Sequence, residues 1–405
     1  MKKNISKSIK FFLLTLIAAA ITDLAKSQEQ NPLNMNEHIR ALGMTPPVPV
    51  SLEGFSGEVV EVLKFDLYVQ GFSFVAPADA QYQISGNNSG NVTGSVSDKF
   101  AKKIILSRSY TGGSLRTEAH AFANEIVQAI TGKPGISQLR GSTAKIAFKA
   151  QASGSGNGEI YVSDFDGHNA QAVTTDNSIV AAPSWVPGRL ALCYNSYSFH
   201  DDPDIFYHDL TTGQRKLIAR YGGSNISPSV SPDGAKFAFI SSIGGRPNIY
   251  VANIDGTGLR QLTTGVEDSS PCWSPDGQWI CFATKISERR CLAKVSASGG
   301  EVQRISTAGV LNPTEPDWSP DGKWIAFTSQ MGDFNICVVP ADGSATPIVL
   351  IAGEDPSWAP NSRTLIFAKR AGSYRYTLSV LDVFTKQVKD VGRISGSDSE
   401  PAWAK

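Results

Sequence analysis

The feature that most constrains the fold is a repeated segment, Pro-x-Trp-Ser-Pro-Asp-Gly, followed by a short apolar strand. Two copies are complete, a third has Val in place of Trp, and the others are partial. Their first prolines lie 40 to 45 residues apart. A period near 40–45 residues with several short strands per repeat is typical of propeller blades. The six copies begin at Pro183, Pro228, Pro271, Pro316, Pro356 and Pro401.

The Ser-Pro-Asp-Gly step predicts a tight turn between the first two strands of each blade. Proline fixes φ near −65°, and glycine adopts positive φ without strain. Asp233, Asp276 and Asp321 occupy the third position of this turn. We therefore interpret these aspartates as local Asx-turn residues and not as catalytic or calcium-binding carboxylates.

Five copies are followed by the strands of a complete blade, and the sixth is not. Residues 144–176 contain three strand-like segments and an Asp166-Gly167 turn, which can complete that blade together with Pro401-Ala402-Trp403. Such closure removes open sheet edges. We predict a mostly β protein: a six-bladed β-propeller of WD40-like (PD40) repeats over residues 140–405, preceded by a small α+β domain.

The N-terminal residues of the chain predict that the protein is exported. Lysines precede an apolar run from Phe11 to Ile21, which is shorter than the roughly 20 residues of a membrane-spanning helix. This order is typical of a secretory signal peptide. We assign residues 1–27 to the signal, 28–47 to a flexible arm and 48–136 to the α+β domain. The mature protein should be periplasmic and should not span the membrane.

Within residues 48–136, Val59–Phe65 is an apolar run, and the segments 81–85 and 91–96 have the pattern of a hairpin. Ser114 is a good N-cap for a helix with apolar residues at helical spacing, and Gly132 and Pro134 end it.

Composition argues against several functional classes. The 37 basic and 37 acidic residues balance, whereas nucleic-acid binders carry a basic excess or patch. The five cysteines include no CxxC pair, and we expect most to be small buried hydrophobic residues. The segment from His200 to Asp204, with His208, is the one candidate metal cluster, and we interpret it as a solvated loop. No Gly-x-Ser-x-Gly elbow is present. We expect the protein to have no enzyme activity and to bind no metal or cofactor. We also expect it to be a monomer.

The segments that enter each Pro-x-Trp strand should converge at one mouth of the propeller. Several carry carboxylates, which would form an acidic rim that steers a complementary partner. The predicted partner-binding residues are Asn225, Glu267, Asp268, Glu315, Glu354, Asp355, Asp398 and Glu400.

The chain resembles the TolB family of the Tol-Pal envelope system. The resemblance covers about residues 48–405 and rests on the order of signal, small domain, helix exit (130–136), Ser-Pro-Asp-Gly blades and final Pro401-Ala402-Trp403. It implies a non-enzymatic adaptor that binds a Pal-like peptidoglycan-associated lipoprotein at a propeller mouth and supports outer-membrane integrity and cell division. It also implies that an N-terminal segment engages a TolA-like inner-membrane protein. The arm does not visibly match the TolA-binding strand, and the domain before the helix is short for the family.

Two other functions remain open at the level of sequence. An exported propeller could use the same acidic mouth to bind peptidoglycan or another carbohydrate. A propeller lyase or hydrolase would instead depend on the His200–His208 segment.

Overall fold

The computed structural model describes residues 42–136, 145–152, 157–198, 202–373, 375–392, 394 and 396–405. The chain divides into two units, 1–45 and 46–405, and of the first only residues 42–45, a turn, are described. The predicted signal peptide and most of the predicted arm lie outside the described residues.

A five-stranded sheet and two helices form the N-terminal domain. The elements are β1 (Val48–Glu53), α1 (Gly57–Tyr68), β2 (Phe72–Phe74), β3 (Tyr82–Asn87), β4 (Thr93–Asp98), β5 (Lys103–Ser109) and α2 (Leu115–Thr131). Strands β1 and β2 are parallel, and the sheet order is β2-β1-β3-β4-β5. The two helices contact each other and complete a core around Leu63, Leu67 and Phe122, which are fully buried.

Helix α2 begins and ends as the sequence predicts. The Ser114 side chain accepts a hydrogen bond from the Thr117 backbone N–H at 3.2 Å, which caps the first turn. Gly132 ends the helix in the left-handed region, with φ of 70°. The apolar run Val59–Phe65 lies within helix α1.

Six four-stranded antiparallel sheets follow and confirm the six-bladed propeller. Blade 1 contains β9 (Val180–Trp185), β10 (Ala191–Ser196), β11 (Asp204–Asp209) and β12 (Arg215–Ala219). Blade 2 contains β13 (Asn225–Val230), β14 (Lys236–Ser241), β15 (Asn248–Asn253) and β16 (Arg260–Gln261). Blade 3 contains β17 (Val266–Trp273), β18 (Trp279–Ile286), β19 (Arg289–Ser296) and β20 (Gln303–Ile305).

The other three blades repeat this plan. Blade 4 contains β21 (Pro313–Trp318), β22 (Trp324–Met331), β23 (Asp333–Pro340) and β24 (Ile348–Ala352). Blade 5 contains β25 (Glu354–Trp358), β26 (Thr364–Arg370), β27 (Tyr376–Asp382) and β28 (Val388–Asp390). Blade 6 contains β29 (Gly396–Trp403), β6 (Lys145–Ala152), β7 (Glu159–Asp164) and β8 (Gln171–Ala172).

Blade 6 closes the ring as predicted. Strand β29 pairs antiparallel with β6, from Gly396 opposite Ala152 to Trp403 opposite Ile146. Trp403 is 3% exposed and stacks on Phe165, with ring centroids 6.1 Å apart. The closing strand is therefore fixed by both a hydrogen-bonded ladder and a buried aromatic contact.

The Ser-Pro-Asp-Gly turns have the predicted chemistry. The Asp276 side chain accepts from the Gln278 backbone N–H at 3.0 Å, and Gly277 has φ of 69°. Asp233 and Asp321 accept from the backbone two residues further on in the same way. These carboxylates accept hydrogen bonds within their own turns, as the sequence predicts.

Strand direction defines two faces of the propeller. We call the upper face the end at which the innermost strands (β9, β13, β17, β21, β25 and β29) begin, and the lower face the end with the Ser-Pro-Asp-Gly turns. The N-terminal domain packs on the lower face of blades 5 and 6, through Val69 with Thr364 and through Phe65 with Phe165. Among the described residues, these hydrogen bonds and ring contacts lie on the lower face and leave the upper face uncovered.

Candidate functional site at the upper mouth

Each innermost strand contains a residue in the left-handed region immediately before the proline of the repeat, and β17 contains a second such residue, Glu267, with φ of 58°. The six residues before the prolines have φ between 51° and 55°. This conformation costs a non-glycine residue about 1–2 kcal/mol, and a following proline disfavours helical backbone further. The strand bulges there and turns the side chain toward the axis, so that all six residues line one central cavity. These residues are Ala182, Ser227, Ser270, Glu315, Asp355 and Glu400.

Three of these residues carry carboxylates, and they connect consecutive blades. The Asp355 backbone N–H donates to Glu315 Oε2 at 3.3 Å, and the Glu400 N–H donates to Asp355 Oδ2 at 3.2 Å. The Ala182 N–H in turn donates to Glu400 Oε2 at 2.6 Å. Each carboxylate is thus held by the backbone of the next blade, while the remainder of its oxygen surface faces the cavity.

The central cavity has a volume of about 910 Å³ and an acidic lining. Its charged residues are five carboxylates and two lysines. Lys149 lies 3.4 Å from Glu400, and Lys405 lies 2.6 Å from Asp317. The carboxylates of Glu315, Glu354 and Asp355 have no ion pair among the described residues, so the upper half of the cavity keeps an excess of negative charge.

The crowding of these carboxylates changes their protonation. Burial raises the pKa of Asp355 well above its usual value, and the neighbouring Glu315 and Glu400 carboxylates raise it further. Burial also raises the pKa of Glu354, although a hydrogen bond with Tyr376 opposes the shift. A cation that enters this group would relieve the repulsion and favour loss of the remaining protons.

The structure brings four of the eight predicted partner-binding residues into the cavity: Glu315, Glu354, Asp355 and Glu400. Glu267 lies outside the lining, is exposed, and pairs with Lys285 at 3.4 Å. Asn225, Asp268 and Asp398 are at most 2% exposed, so the prediction that they line the mouth is wrong for these three. They lie three residues before the proline, on the side of the strand that faces into the blade.

Asp268 and Asn225 have structural partners instead. Asp268 accepts hydrogen bonds from Thr263, from Thr284 at 2.5 Å and from Asn248 at 3.2 Å. Asn225 accepts from Ser241 Oγ at 3.0 Å. Burial raises the pKa of Asp398 to about 7, and its Oδ1 atom has no hydrogen-bond partner.

Sequence reasoning missed a set of exposed apolar side chains on the upper face, which we call the apolar rim and of which Ile179 also lines the cavity. The five side chains lie at or just before the starts of innermost strands, in a connection between second and third strands, or at the start of a third strand. They are between 39% and 64% exposed. Their recurrence at upper-face positions of the repeat is a signal that the sequence already contained. They are Ile179, Ile243, Val266, Leu311 and Phe334.

The candidate metal cluster from His200 to Asp204, with His208, forms no metal site among its described residues. His200 and Asp201 lie outside the described residues. His208 hydrogen-bonds to Tyr194 at 3.2 Å, and Asp204 pairs with Arg220 at 2.8 Å. Throughout the described ranges, no three His, Cys, Asp or Glu side chains come together as metal ligands.

All five cysteines are buried free thiols, which agrees with the predicted role as small hydrophobic residues. In the part of the chain that the structure describes, no helix has both the length and the apolar character needed to cross a membrane.

Comparisons with known proteins agree with this architecture. A family model described as the TolB beta propeller domain matches residues 127–405. Two curated relatives are named Tol-Pal system protein TolB. The one from Desulfosudis oleivorans is 34% identical over 168 residues, which are 41% of this chain and 36% of the relative. The one from Francisella tularensis is 34% identical over 153 residues, which are 37% of this chain and 34% of the relative. The chain thus spans about a third of the length of the curated relatives it matches.

A solved structure extends the likeness to the fold of most of the chain. The crystal structure of TolB from Acinetobacter baumannii superposes with a TM-score of 0.79 at 22% sequence identity. The superposition covers 90% of this chain and 98% of the other. At this level of identity, the match supports a shared fold.

Proposed function

This chain belongs to the TolB β-propeller domain family, and from that premise we propose that it is a non-enzymatic adaptor of a Tol-Pal system. Its upper mouth binds a Pal-like lipoprotein of the outer membrane, and the coupling supports outer-membrane integrity and cell division. The names of the curated relatives support the Tol-Pal assignment. The observation that carries the choice of surface is the acidic cavity, inside an apolar rim, on the face away from the N-terminal domain.

The mouth has the chemistry of a protein-docking surface. Exposed apolar side chains around a polar centre provide the area that is removed from water on binding, and such patches mark interaction sites. The excess of carboxylates adds a field that accelerates the encounter with a cationic partner surface. We therefore expect the docking loop of the Pal-like partner to present a lysine or arginine to Glu315, Glu354 and Asp355, with apolar residues around it.

The remaining parts of the proposal concern location and a second partner. Residues 1–27 act as a signal peptide that directs export, so the mature protein acts in the periplasm. Residues 28–47 are the segment through which a TolA-like inner-membrane protein would be engaged. Mass spectrometry of the mature N-terminus tests the first statement, and pull-down with a chain that begins at Pro46 tests the second.

The mouth is tested by association kinetics with a Pal-like protein captured from envelopes by crosslinking to the tagged mature chain. Glu354→Lys and Glu315→Lys place positive charge at the mouth, and Glu301→Lys is the matched control because Glu301 is exposed in the lower-face connection between β19 and β20. We expect slower association and a weaker salt dependence for the mouth variants. Each contact that stays solvated should contribute about 0–1 kcal/mol.

Two results would contradict the proposal. If Glu301→Lys slows association as much as the mouth variants do, the effect is one of net charge and not of the mouth. If the crosslinked material is peptidoglycan without a protein partner, the carbohydrate-binding alternative is correct. Variants that lose their cooperative thermal transition are replaced by Glu315→Gln and Glu354→Gln, which remove charge without adding it.

A further inference from the structure

A buried group of charged side chains connects the N-terminal domain to blade 6. Asp66 lies on α1, His120 and Arg116 lie on α2, and Asp166 lies in the turn between β7 and β8. His120 Nδ1 is 2.7 Å from Asp66 Oδ2, and the Arg116 guanidinium pairs with Asp166. On its other side, His120 Nε2 is 3.9 Å from Asp166 Oδ2. The imidazole therefore lies between a carboxylate of its own domain and a carboxylate of the propeller.

The hydrogen bonding of this group is incomplete despite its burial. Asp66, His120 and Asp166 are all at most 5% exposed. Asp66 Oδ1, His120 Nε2 and Arg116 Nε have no hydrogen-bond partner. Three unsatisfied atoms in one buried cluster are uncommon, because each loses its hydration without compensation. The arrangement is stable only with a favourable distribution of charge.

The charges balance only when the cluster retains a proton. With His120 protonated, two cations balance two carboxylates, Asp66 of the same domain and Asp166 across the domain boundary. Once that proton leaves, Arg116 alone faces Asp66 and Asp166, and one negative charge is buried without compensation. Among the described residues, the other ionisable groups paired with the cluster are His168, 3.1 Å from Asp166, and Glu58, 3.1 Å from Arg116.

We propose that packing of the N-terminal domain against blade 6 is coupled to a proton held between Asp66 and His120, so that a rise in pH above neutrality releases this contact. The contact with blade 5 does not depend on that proton. There Thr364 Oγ1 donates to the Val69 carbonyl at 3.3 Å, and Gln387 Nε2 donates to the Phe72 carbonyl at 3.0 Å. The domain would then hinge about blade 5 while it separates from blade 6.

The direction of the pH dependence follows from the surroundings. Burial opposes the charged imidazole, but Asp66 and then Asp166 outweigh it and raise the pKa of His120. Burial also raises the pKa of Asp66, so the pair keeps its proton whichever residue carries it. A raised pKa stabilises the packed state fully below the free histidine value of about 6.5, and this contribution is lost as the pH rises through the packed-state value. Arg116 lowers the pKa of Asp166, although burial opposes the shift, so that carboxylate stays charged throughout this range.

The test measures exposure of the interface in the full chain between pH 6 and pH 8.5. Hydroxyl-radical footprinting reports on Phe65 and Phe165, whose rings lie 5.9 Å apart across the boundary. Phe100, which is 81% exposed, normalises the radical dose, and Phe72, which is fully buried in the core of the N-terminal domain, shows whether this domain stays folded. We expect labelling of Phe65 and Phe165 to rise by up to about tenfold per pH unit within the titration range, while Phe72 stays protected.

Variants separate the proton from the packing. His120→Asn keeps an amide near the position of Nδ1 and should remove the pH dependence. His208→Asn is the matched control, because His208 is a half-buried histidine of blade 1, away from the boundary. In Asp166→Asn, the His120 resonance observed by NMR should titrate at a lower pH than in the parent chain. If His120→Asn does not fold, the titration of His120 in Asp166→Asn tests the proposal by itself.

The proposal is overturned if labelling of Phe65 and Phe165 does not change with pH in the parent chain. It is equally overturned if His120→Asn keeps the parent pH profile, or if the His120 titration is the same in Asp166→Asn as in the parent.

Discussion

Trp403 allows a prediction that separates two contributions to stability, the burial of an indole ring and the satisfaction of its N–H. Its side chain is 3% exposed, packs on Phe165, and carries an Nε1 atom without a hydrogen-bond partner. An aromatic side chain of this size buries about 150–250 Å². At about 25 cal/mol per Å², that area corresponds to about 4–6 kcal/mol as an upper value. Trp403→Ala should therefore cost about 3–5 kcal/mol, as is usual for Trp-to-Ala substitutions in cores.

Trp403→Phe should be far milder. The phenyl ring keeps the stacking on Phe165, and removal of the unsatisfied N–H relieves a penalty of about 1–3 kcal/mol. Trp185 supplies the matched comparison, because it is also buried, at 8% exposure, but its Nε1 donates to the Ala402 carbonyl at 3.0 Å. We expect Trp185→Phe to be less stable than Trp403→Phe by about 2 kcal/mol, since it loses a real hydrogen bond.

Urea unfolding followed by circular dichroism measures these differences, with equal m-values required for the comparison. If Trp403→Phe unfolds at the same urea concentration as Trp403→Ala, the phenyl ring does not replace the larger indole. In that case the size of the indole governs stability at this site, and the argument from the buried ring and its unsatisfied N–H is wrong. If Trp403→Phe and Trp185→Phe are equally destabilised, the hydrogen-bond argument is wrong.

Three further predictions follow from the environments of individual groups. Because burial raises the pKa of Asp398 to about 7, its contribution to stability is full below the unfolded value of about 3.9 and is lost as the pH rises from there through 7; the melting temperature of Asp398→Asn relative to the parent should therefore be higher at pH 8 than at pH 4, and an equal difference at both would contradict this. Arg363 donates to the fully buried Asp382 at 2.7 and 2.9 Å, so Arg363→Met should cost about 3–5 kcal/mol in urea unfolding; Arg108→Met, at an exposed pair with Glu125, should cost no more than about 1 kcal/mol. Burial raises the pKa of Cys337 to about 12 and leaves all five thiols covered; iodoacetamide at pH 8 should label them only in urea, and rapid labelling of the native chain would refute their burial.

The propeller could be predicted because the residues that specify its turns and strands are close together in the sequence and recur in each repeat. Turn chemistry at Asp276 and Gly277 needs only neighbouring residues, and the strand-like segments within residues 144–176 have no copy of the repeat directly before them, so they could pair with the copy at Pro401. The ladder between β29 and β6 confirms that reasoning.

The orientation of the mouth residues could be predicted only in part. A residue before proline is expected to be extended, and nothing in the identities of Glu315, Asp355 or Glu400 indicates the left-handed conformation that they adopt. The bulge places the two residues before the proline of blade 5, Glu354 and Asp355, on the cavity side. It leaves the residue three before the proline inside the blade, as Asp398 demonstrates. Packing around a closed ring imposes this geometry, and local propensity does not encode it.

Helix α1 shows a different limit of sequence reasoning. Its buried positions are Val59, Val62, Leu63, Asp66 and Leu67, which is helical spacing. The charged Asp66 interrupts the apolar pattern. Its burial depends on His120, 54 residues later, and such a partner cannot be recognised from the segment alone.

The closing ladder of blade 6 also has a kinetic consequence. Lys149 on β6 and Glu400 on β29 meet across a separation of 251 residues, whereas the other blades form from neighbouring hairpins. Contacts this distant in sequence raise the contact order and slow folding, because the entropy of closing the loop is lost before the contact contributes. We therefore expect blades 1 to 5 and the β6–β8 part of blade 6 to assemble first, as an open arc in which the edge of β6 is unpaired. In that interval the edge can pair with another chain, so the yield of refolding should fall as protein concentration rises.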